Sequence, residues 1–186
     1  MLRIYPEEYR QFQCIASACR HSCCVGWEIV VDEQTAKRYQ QAEGDFAKTV
    51  RGALTHTDDG TVFRMEQGRC AMLQKDGLCR IIREWGDSSL CEICREHPRF
   101  HNRFPGVWES GLGLCCEEAA RLTLTRQAPL RLCAEETDDL QSERPDEKTT
   151  AVLHLRGAAL ALLQSRSMPL FHRLGPLLAL GTGAQL

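Results

Sequence analysis

Cys14-Ile15-Ala16-Ser17-Ala18-Cys19-Arg20-His21-Ser22-Cys23-Cys24 sets four thiols within 11 residues. Together with Gly26 just beyond it, the stretch has neither a 3.6- nor a 2.0-residue hydrophobic period, so it reads as an irregular loop whose order must come from its sulfurs. No cysteine follows until Cys70. Cys70, Cys79, Cys91 and Cys94 then form a second group, followed by the adjacent Cys115-Cys116 and by Cys133, for 11 cysteines among 186 residues. The sulfur-rich region therefore runs from about residue 14 to residue 116.

The rest of the composition is ordinary, which isolates the cysteine count as the informative departure. Hydrophobic residues make up 43% and charged residues 26%, so the chain can bury a core and is not wholly disordered. Twenty-three Lys and Arg against 25 Asp and Glu leave a net charge of −2. That balance argues against non-specific nucleic-acid binding and against a polybasic membrane anchor. Met1–Arg10 has no apolar signal-peptide region, and no uninterrupted apolar run is long enough to span a bilayer. The expected compartment is the cytoplasm. In its reducing pool clustered thiols bind metal more often than they form disulfides, and an odd count fits poorly with a closed disulfide framework.

Outward from the first thiols, Gly26–Asp32 reads as a short extended segment. Asp32 is an N-cap for a helix reaching Gln41, and Asp45–Thr55 carries Phe46, Val50 and Leu54 at helical spacing. Asp58-Asp59-Gly60 turns into a strand at Thr61–Met65, and Lys75-Asp76-Gly77 turns so that Cys70 and Cys79 converge. Further helices are expected at Cys79–Trp85, Cys91–His97 and Cys116–Arg126. Seven acids lie in residues 135–148, and after Glu147 there are none. Thr149–Ser165 reads as a helix, and Leu170–Leu180 as a second apolar stretch interrupted at Gly175-Pro176. These patterns predict a mainly α chain with irregular Cys-rich loops and a few short strands: a metal- or cluster-centred module at 1–134, an acidic linker at 135–148 and an apolar helical segment at 149–186. The apolar helices need a partner surface.

Thiolates are soft ligands suited to zinc, Cu(I) and iron–sulfur clusters, and one zinc or one [4Fe–4S] cluster takes four. Cys91-x-x-Cys94 has chelate spacing; the same spacing serves dithiol redox chemistry, but no thioredoxin-like βαβ pattern surrounds it. Cys19-x3-Cys23 begins the C-x3-C-x2-C spacing of radical enzymes that cleave S-adenosylmethionine, yet the third position is Gly26. No Walker motif, H-E-x-x-H or nucleophile elbow is present. His21, His97 and His101 read as loop or outer-shell residues. Arg95, Arg99 and Arg103 read equally as solvated or as donors to sulfur or an anion. Trp27 and Trp85 read as cover for the metal site, and Cys115 and Cys133 as small buried hydrophobes.

Cys14-x4-Cys19-x3-Cys23-Cys24-x-Gly26-Trp27-x-Ile29, Cys70-Ala71-Met72-Leu73, Asp76-Gly77-Leu78-Cys79-x-Ile81, Leu90-Cys91-x-x-Cys94-Arg95-x-x-Pro98-Arg99 and Leu114-Cys115-Cys116-Glu117-Glu118-Ala119-Ala120-Arg121 occur in this order. The series resembles the flagellin lysine-N-methylase family, within the wider group of zinc- or iron-chelating cysteine-cluster proteins. The resemblance covers roughly residues 5–125, and Leu162–Leu170 with Arg173-Leu174 looks like the helices that follow. It implies a protein-lysine N-methyltransferase acting on flagellin, with S-adenosylmethionine as methyl donor and an iron–sulfur cluster of the [4Fe–4S] type. Aligning the family's Ser-Cys-Pro-Glu on Cys115–Glu118 makes Cys116 the ligand candidate. The metal-ligand set is then Cys14, Cys19, Cys23, Cys24, Cys70, Cys79, Cys94 and Cys116. The resemblance assigns no catalytic or donor-binding residue here. The competing reading is a non-catalytic structural or scaffold module that binds zinc or iron.

Overall fold

A computed structural model gives the fold and describes residues 1–137 and 144–183. In chain order its elements are β1 (Leu2–Pro6), α1 (Glu8–Gln11), α2 (Glu33–Gln41), α3 (Asp45–Gly52), β2 (Leu54–Thr57), β3 (Gly60–Phe63), β4 (Met65–Glu66), β5 (Arg69–Cys70), α4 (Arg80–Trp85), α5 (Glu92–Glu96), β6 (Arg99–Phe104), β7 (Val107–Leu112), α6 (Glu117–Leu124), β8 (Leu132–Glu136), α7 (Glu147–Gln164) and α8 (Leu170–Gly183). They form two compact units. One gathers Met1–Gln11, His101–Gly111 and Arg126–Leu186, and the other Phe12–Phe100 and Leu112–Thr125.

The expectation of a mainly α chain with a metal-centred module does not hold. The fold contains a mixed four-stranded sheet in the order β6-β7-β1-β8. Among the described residues, no group of three or more His, Cys, Asp or Glu is arranged to hold a metal ion. β1 runs parallel to β7, with Leu2 opposite Val107, and antiparallel to β8, with Leu2 opposite Glu136 and Pro6 opposite Leu132. Both partners of β1 come from far down the chain, so no local turn announces the pairing. A parallel pair needs a crossover connection, and here the connection from β1 to β7 carries Phe12–Phe100. β6 reads Arg-Phe-His-Asn-Arg-Phe and is mostly exposed, which suits an edge strand and hides it from a search for apolar alternation.

The sheet-bearing unit is rich in charged pairs. Glu8, itself buried, pairs with Arg126, and Glu109 pairs with Arg156. Glu135 accepts from the Tyr5 hydroxyl at 3.0 Å and pairs with Arg3 and Arg10. α7 starts where Asp146 accepts from the Thr149 amide, close to the expected helix start. α8 departs from expectation by running unbroken through Pro176. A proline removes one N–H and leaves the remaining helical ladder available. Arg173 closes the C-terminal end of α7 by donating to the Leu163 carbonyl at 2.8 Å. Leu170, Phe171, Leu174 and Leu178 of α8 are exposed. Of the seven acids in 135–148, Asp138, Asp139 and Glu143 lie outside the described residues. Among the described residues no helix is long and apolar enough to cross a membrane.

The second unit packs around Ile29, Val31, Tyr39, Val50, Ala53, Phe63, Cys70, Met72, Ile81 and Cys91. α3 stops at Gly52, short of the expected Thr55, because Leu54–Thr57 pairs with β3 as a hairpin. The expected extended segment Gly26–Asp32 makes no named strand: Gly26 and Trp27 bend, and Val30 bridges to Val62. Val31 N–H donates to Thr61 O at 2.7 Å, and Phe63 N–H to Ile29 O at 3.1 Å. The Lys75–Gly77 turn forms as expected, and Leu73 bridges to Cys79 across it. Gly77 and Gly86 both have φ near +83°, a region other residues enter at a cost; the first closes this turn and the second stops α4.

Candidate cysteine-lined site

Loops and short helices of the second unit enclose a cavity of about 450 Å³. Cys14, Cys19, Cys23, Cys24, Cys79, Cys94, Cys115 and Cys116 line it, with His21 and His97. Phe12, Ile15, Trp27, Ile82, Leu90 and Pro98 supply apolar wall, and Asp87, Arg95, Arg99 and Glu117 supply charge. Seven of the eight expected ligand cysteines are therefore gathered there. Cys70 is not, being a core side chain only 5% exposed. Cys115, expected to be buried, is exposed and on the cavity wall. Cys133 is half-buried on β8. All 11 cysteines are free thiols.

Specific hydrogen bonds bring these distant thiols together. A 3-10 turn at Ala16–Ala18 follows Cys14, whose sulfur accepts from the Ala16 amide at 3.4 Å. Cys70 N–H donates to Cys24 O at 2.9 Å, and the Trp27 indole donates to Cys23 O at 2.6 Å. Cys79, Cys91 and Cys116 are the N-cap residues of α4, α5 and α6. Asp32 fastens two helices at once: one carboxylate oxygen accepts from Thr35 N at 2.9 Å to cap α2, the other from Glu92 N at 2.8 Å at the start of α5. Glu117 Oε2 accepts from the amides of Arg20 and His21 at 2.7 and 3.3 Å.

Proton affinities follow from burial and pairing. A hydrogen bond between Cys23 and Cys24 pushes the Cys23 thiol up, reinforced by burial, and pulls the Cys24 thiol down. The Cys91–Cys94 hydrogen bond acts likewise, lowering Cys91 and raising Cys94. Burial pushes Cys70 up to about 11, and raises Cys79 against the opposing pull of the Ile82 and Ile81 amides. Cys19 is raised by burial and then by its neighbours Cys14, Cys116 and Glu117. A soft metal entering the cavity would displace protons from most of these sulfurs. Burial opposes the charged form of Asp32, but the Glu92 and Thr35 amides outweigh it and hold the carboxyl below its usual range.

Among the other candidates, Trp27 lines the cavity and stacks with His97 at 6.1 Å between ring centres. Trp85 instead packs on Tyr39 and Phe46 in the core, at 5.9 and 4.8 Å. His101 and Arg103 belong to the sheet-bearing unit, where His101 Nδ1 meets the Ser110 hydroxyl at 2.9 Å and Arg103 lies over Trp108. His97 was undervalued in the sequence. It lines the cavity, its Nε2 is shielded without a hydrogen-bond partner, and burial lowers its pKa, favouring neutral imidazole. Its only sequence signal was its position three residues after Cys94.

Among curated proteins, the lysine-N-methylase of Salmonella typhimurium strain LT2 is 29% identical over 120 residues, which is 61% of this chain and 30% of that protein. The chain is similar to lysine-N-methylases. The Salmonella choleraesuis strain SC-B67 lysine-N-methylase matches to the same extent, and the flagellar biosynthetic protein FliU of Salmonella muenchen is 27% identical over 126 residues, 61% of this chain and 71% of FliU. The match spans less than a third of the length of the two lysine-N-methylases. No family model and no solved structure matches the chain.

Zinc and iron–sulfur clusters both take four thiolates. Eight free thiols line one partly apolar cavity, and among the described residues no three His, Cys, Asp or Glu are arranged to hold a metal ion.

Proposed function

We propose that this chain carries the cysteine-rich part of a protein-lysine N-methyltransferase that acts on flagellin with S-adenosylmethionine as methyl donor. In this reading an iron–sulfur cluster, of the [4Fe–4S] type, is held by thiols drawn from Cys14, Cys19, Cys23, Cys24, Cys79, Cys94 and Cys116. The observation that carries it is the gathering of these seven thiols on one cavity wall. The names of the Salmonella relatives support the methylation chemistry and the flagellar substrate.

A bound cluster supplies an electron-accepting iron–thiolate surface. The protein's own side chains account for the rest. Phe12, Trp27, Ile82 and Leu90 make a wall that disfavours a charged ammonium and so favours the neutral ε-amine needed for attack. The amine lone pair forms the new N–CH3 bond as the donor S–CH3 bond breaks, its electrons returning to sulfur, and one proton leaves nitrogen. His97 lines the cavity and burial favours its neutral imidazole, the form that can accept that proton.

Protein purified without oxygen tests this reading through its absorption spectrum and its iron, acid-labile sulfide and zinc content. Matching iron and sulfide, binding of S-adenosylmethionine and transfer of labelled methyl to flagellin are expected. Stoichiometric zinc, with no sulfide and no donor binding, would replace it with a structural module.

A further inference from the structure

The loop Cys19–Cys24 has little regular structure of its own, yet it presents three thiols to the cavity. Cys70 and Trp27 hold its Cys23–Cys24 end, and a carboxylate from far along the chain holds its Cys19 end. Glu117 Oε2 accepts from Arg20 N at 2.7 Å and from His21 N at 3.3 Å, contacts spanning 97 and 96 residues. Arg20 and His21 lie immediately after Cys19, and Glu117 immediately follows Cys116. A single side chain therefore joins the segments that carry these two thiols. Cys19 and Cys116 both line the cavity, and Cys116 lies close enough to add to the rise of the Cys19 pKa that burial begins. The Glu117 end is itself anchored: Gly113 N–H donates to Pro98 O at 2.7 Å, Cys116 N–H to Gly113 O at 3.2 Å, and Ala119 of α6 is fully buried.

We propose that Glu117 is the positioning residue of the cysteine-lined cavity, holding the Cys19 loop against the start of α6 so that Cys19 and Cys116 stand as one thiol pair. The purpose assigned to the pair rests on the proposed cofactor reading, but the clamp itself does not. Hydrogen bonds to a charged acceptor are among the stronger ones, and two of them converge on one oxygen here. Without them the Cys23–Cys24 end of the loop stays tied by Cys70 and Trp27, but its Cys19 end keeps only the 3-10 turn that precedes it.

The test uses the full chain, reduced and freed of metal with a chelator. Dibromobimane, which becomes fluorescent on bridging two nearby thiols, is applied and the bridged peptides are mapped. The wild type is expected to give the Cys19–Cys116 bridge. In Glu117→Ala its yield should fall about tenfold, and hydrogen exchange at the Arg20 and His21 amides should quicken by a similar factor. Glu117→Gln keeps an acceptor oxygen at the same reach and should restore most of both. The Val31 and Phe63 amides, hydrogen-bonded within the core, should keep their protection in all three proteins. An undiminished bridge in Glu117→Ala would overturn the proposal. So would loss of protection at Val31 and Phe63, which would make Glu117 a general stabiliser, or failure of Glu117→Gln to recover. Iron and sulfide counts on the wild type separately test the cofactor reading, and their absence would leave the bridging result intact.

Discussion

The two units are held by opposite means. The sheet-bearing unit uses a strand ladder, two long helices and charged pairs between distant residues, such as Glu8–Arg126 and Glu109–Arg156. The thiol-bearing unit uses short helices of five to nine residues on a compact core into which Cys70 and Cys91 are themselves packed. Helices that short are marginal alone, so that unit's geometry depends on its core and on tethers such as the Asp32 carboxylate, which serves the starts of α2 and α5. A cavity wall assembled this way is built from tertiary contacts. Where its sulfurs point is then a property of the whole unit.

The largest expected effect tests that dependence. Phe63→Ala removes a ring 2% exposed at the centre of the thiol-bearing core and should cost about 3–5 kcal/mol, read by urea denaturation. Cavity thiols should become faster to label in the same protein, while Cys133 on β8 keeps its rate. If labelling of the cavity thiols stayed unchanged, the cavity would not depend on the core beneath it.

Next in size is the charged pair of the other unit. Arg126→Ala leaves the buried Glu8 carboxylate without its cation and should destabilise by about 3 kcal/mol. Replacing both residues by leucine should recover most of the loss, because two desolvated charges return little net energy over a packed apolar pair. A double variant as unstable as the single one would show that the pair stabilises this unit outright.

Asp32→Ala should cost about 1–3 kcal/mol, since one residue supplies caps to both α2 and α5. Asp32→Asn retains an acceptor for one amide and should lose less. Because α5 carries Cys94 and its N-cap is Cys91, the alanine variant should also raise the labelling rate of that pair above its effect on Cys14.

How much of this could be read in the sequence follows the range of the interactions. The helix from Asp32 to Gln41 and the helix at α7 were legible because cap and period lie within one segment. The Lys75–Gly77 turn was legible for the same reason. The four-stranded sheet was not, because β1 finds its partners only beyond Phe12–Phe100, and β6 lacks apolar alternation. Among the cysteines, clustering marked the cavity region, but core packing decided that Cys70 turns inward and Cys115 faces the cavity. Asp32 was recognisable as the cap of its own helix. Its second hydrogen bond, 60 residues away at Glu92, has no local signature.

The smallest effect is a pH dependence that separates the units again. Burial lowers the His97 pKa, so the folded protein binds a proton there less readily than the unfolded chain, whose imidazole titrates near about 6.5. Above that value neither state is protonated and His97 adds no pH dependence. As pH falls through it, the unfolded state takes up the proton first and stability drops, until the folded group titrates as well. One proton limits the slope to about 1.4 kcal/mol per pH unit. Urea titrations between about pH 7 and pH 5 on wild type and His97→Gln isolate the contribution, since glutamine carries no titrating group and the carboxylates are common to both proteins. The wild type should lose more stability than the variant over this interval. Equal losses would mean that His97 is as easily protonated folded as unfolded, and the neutral imidazole assigned to the cavity would have no physical basis.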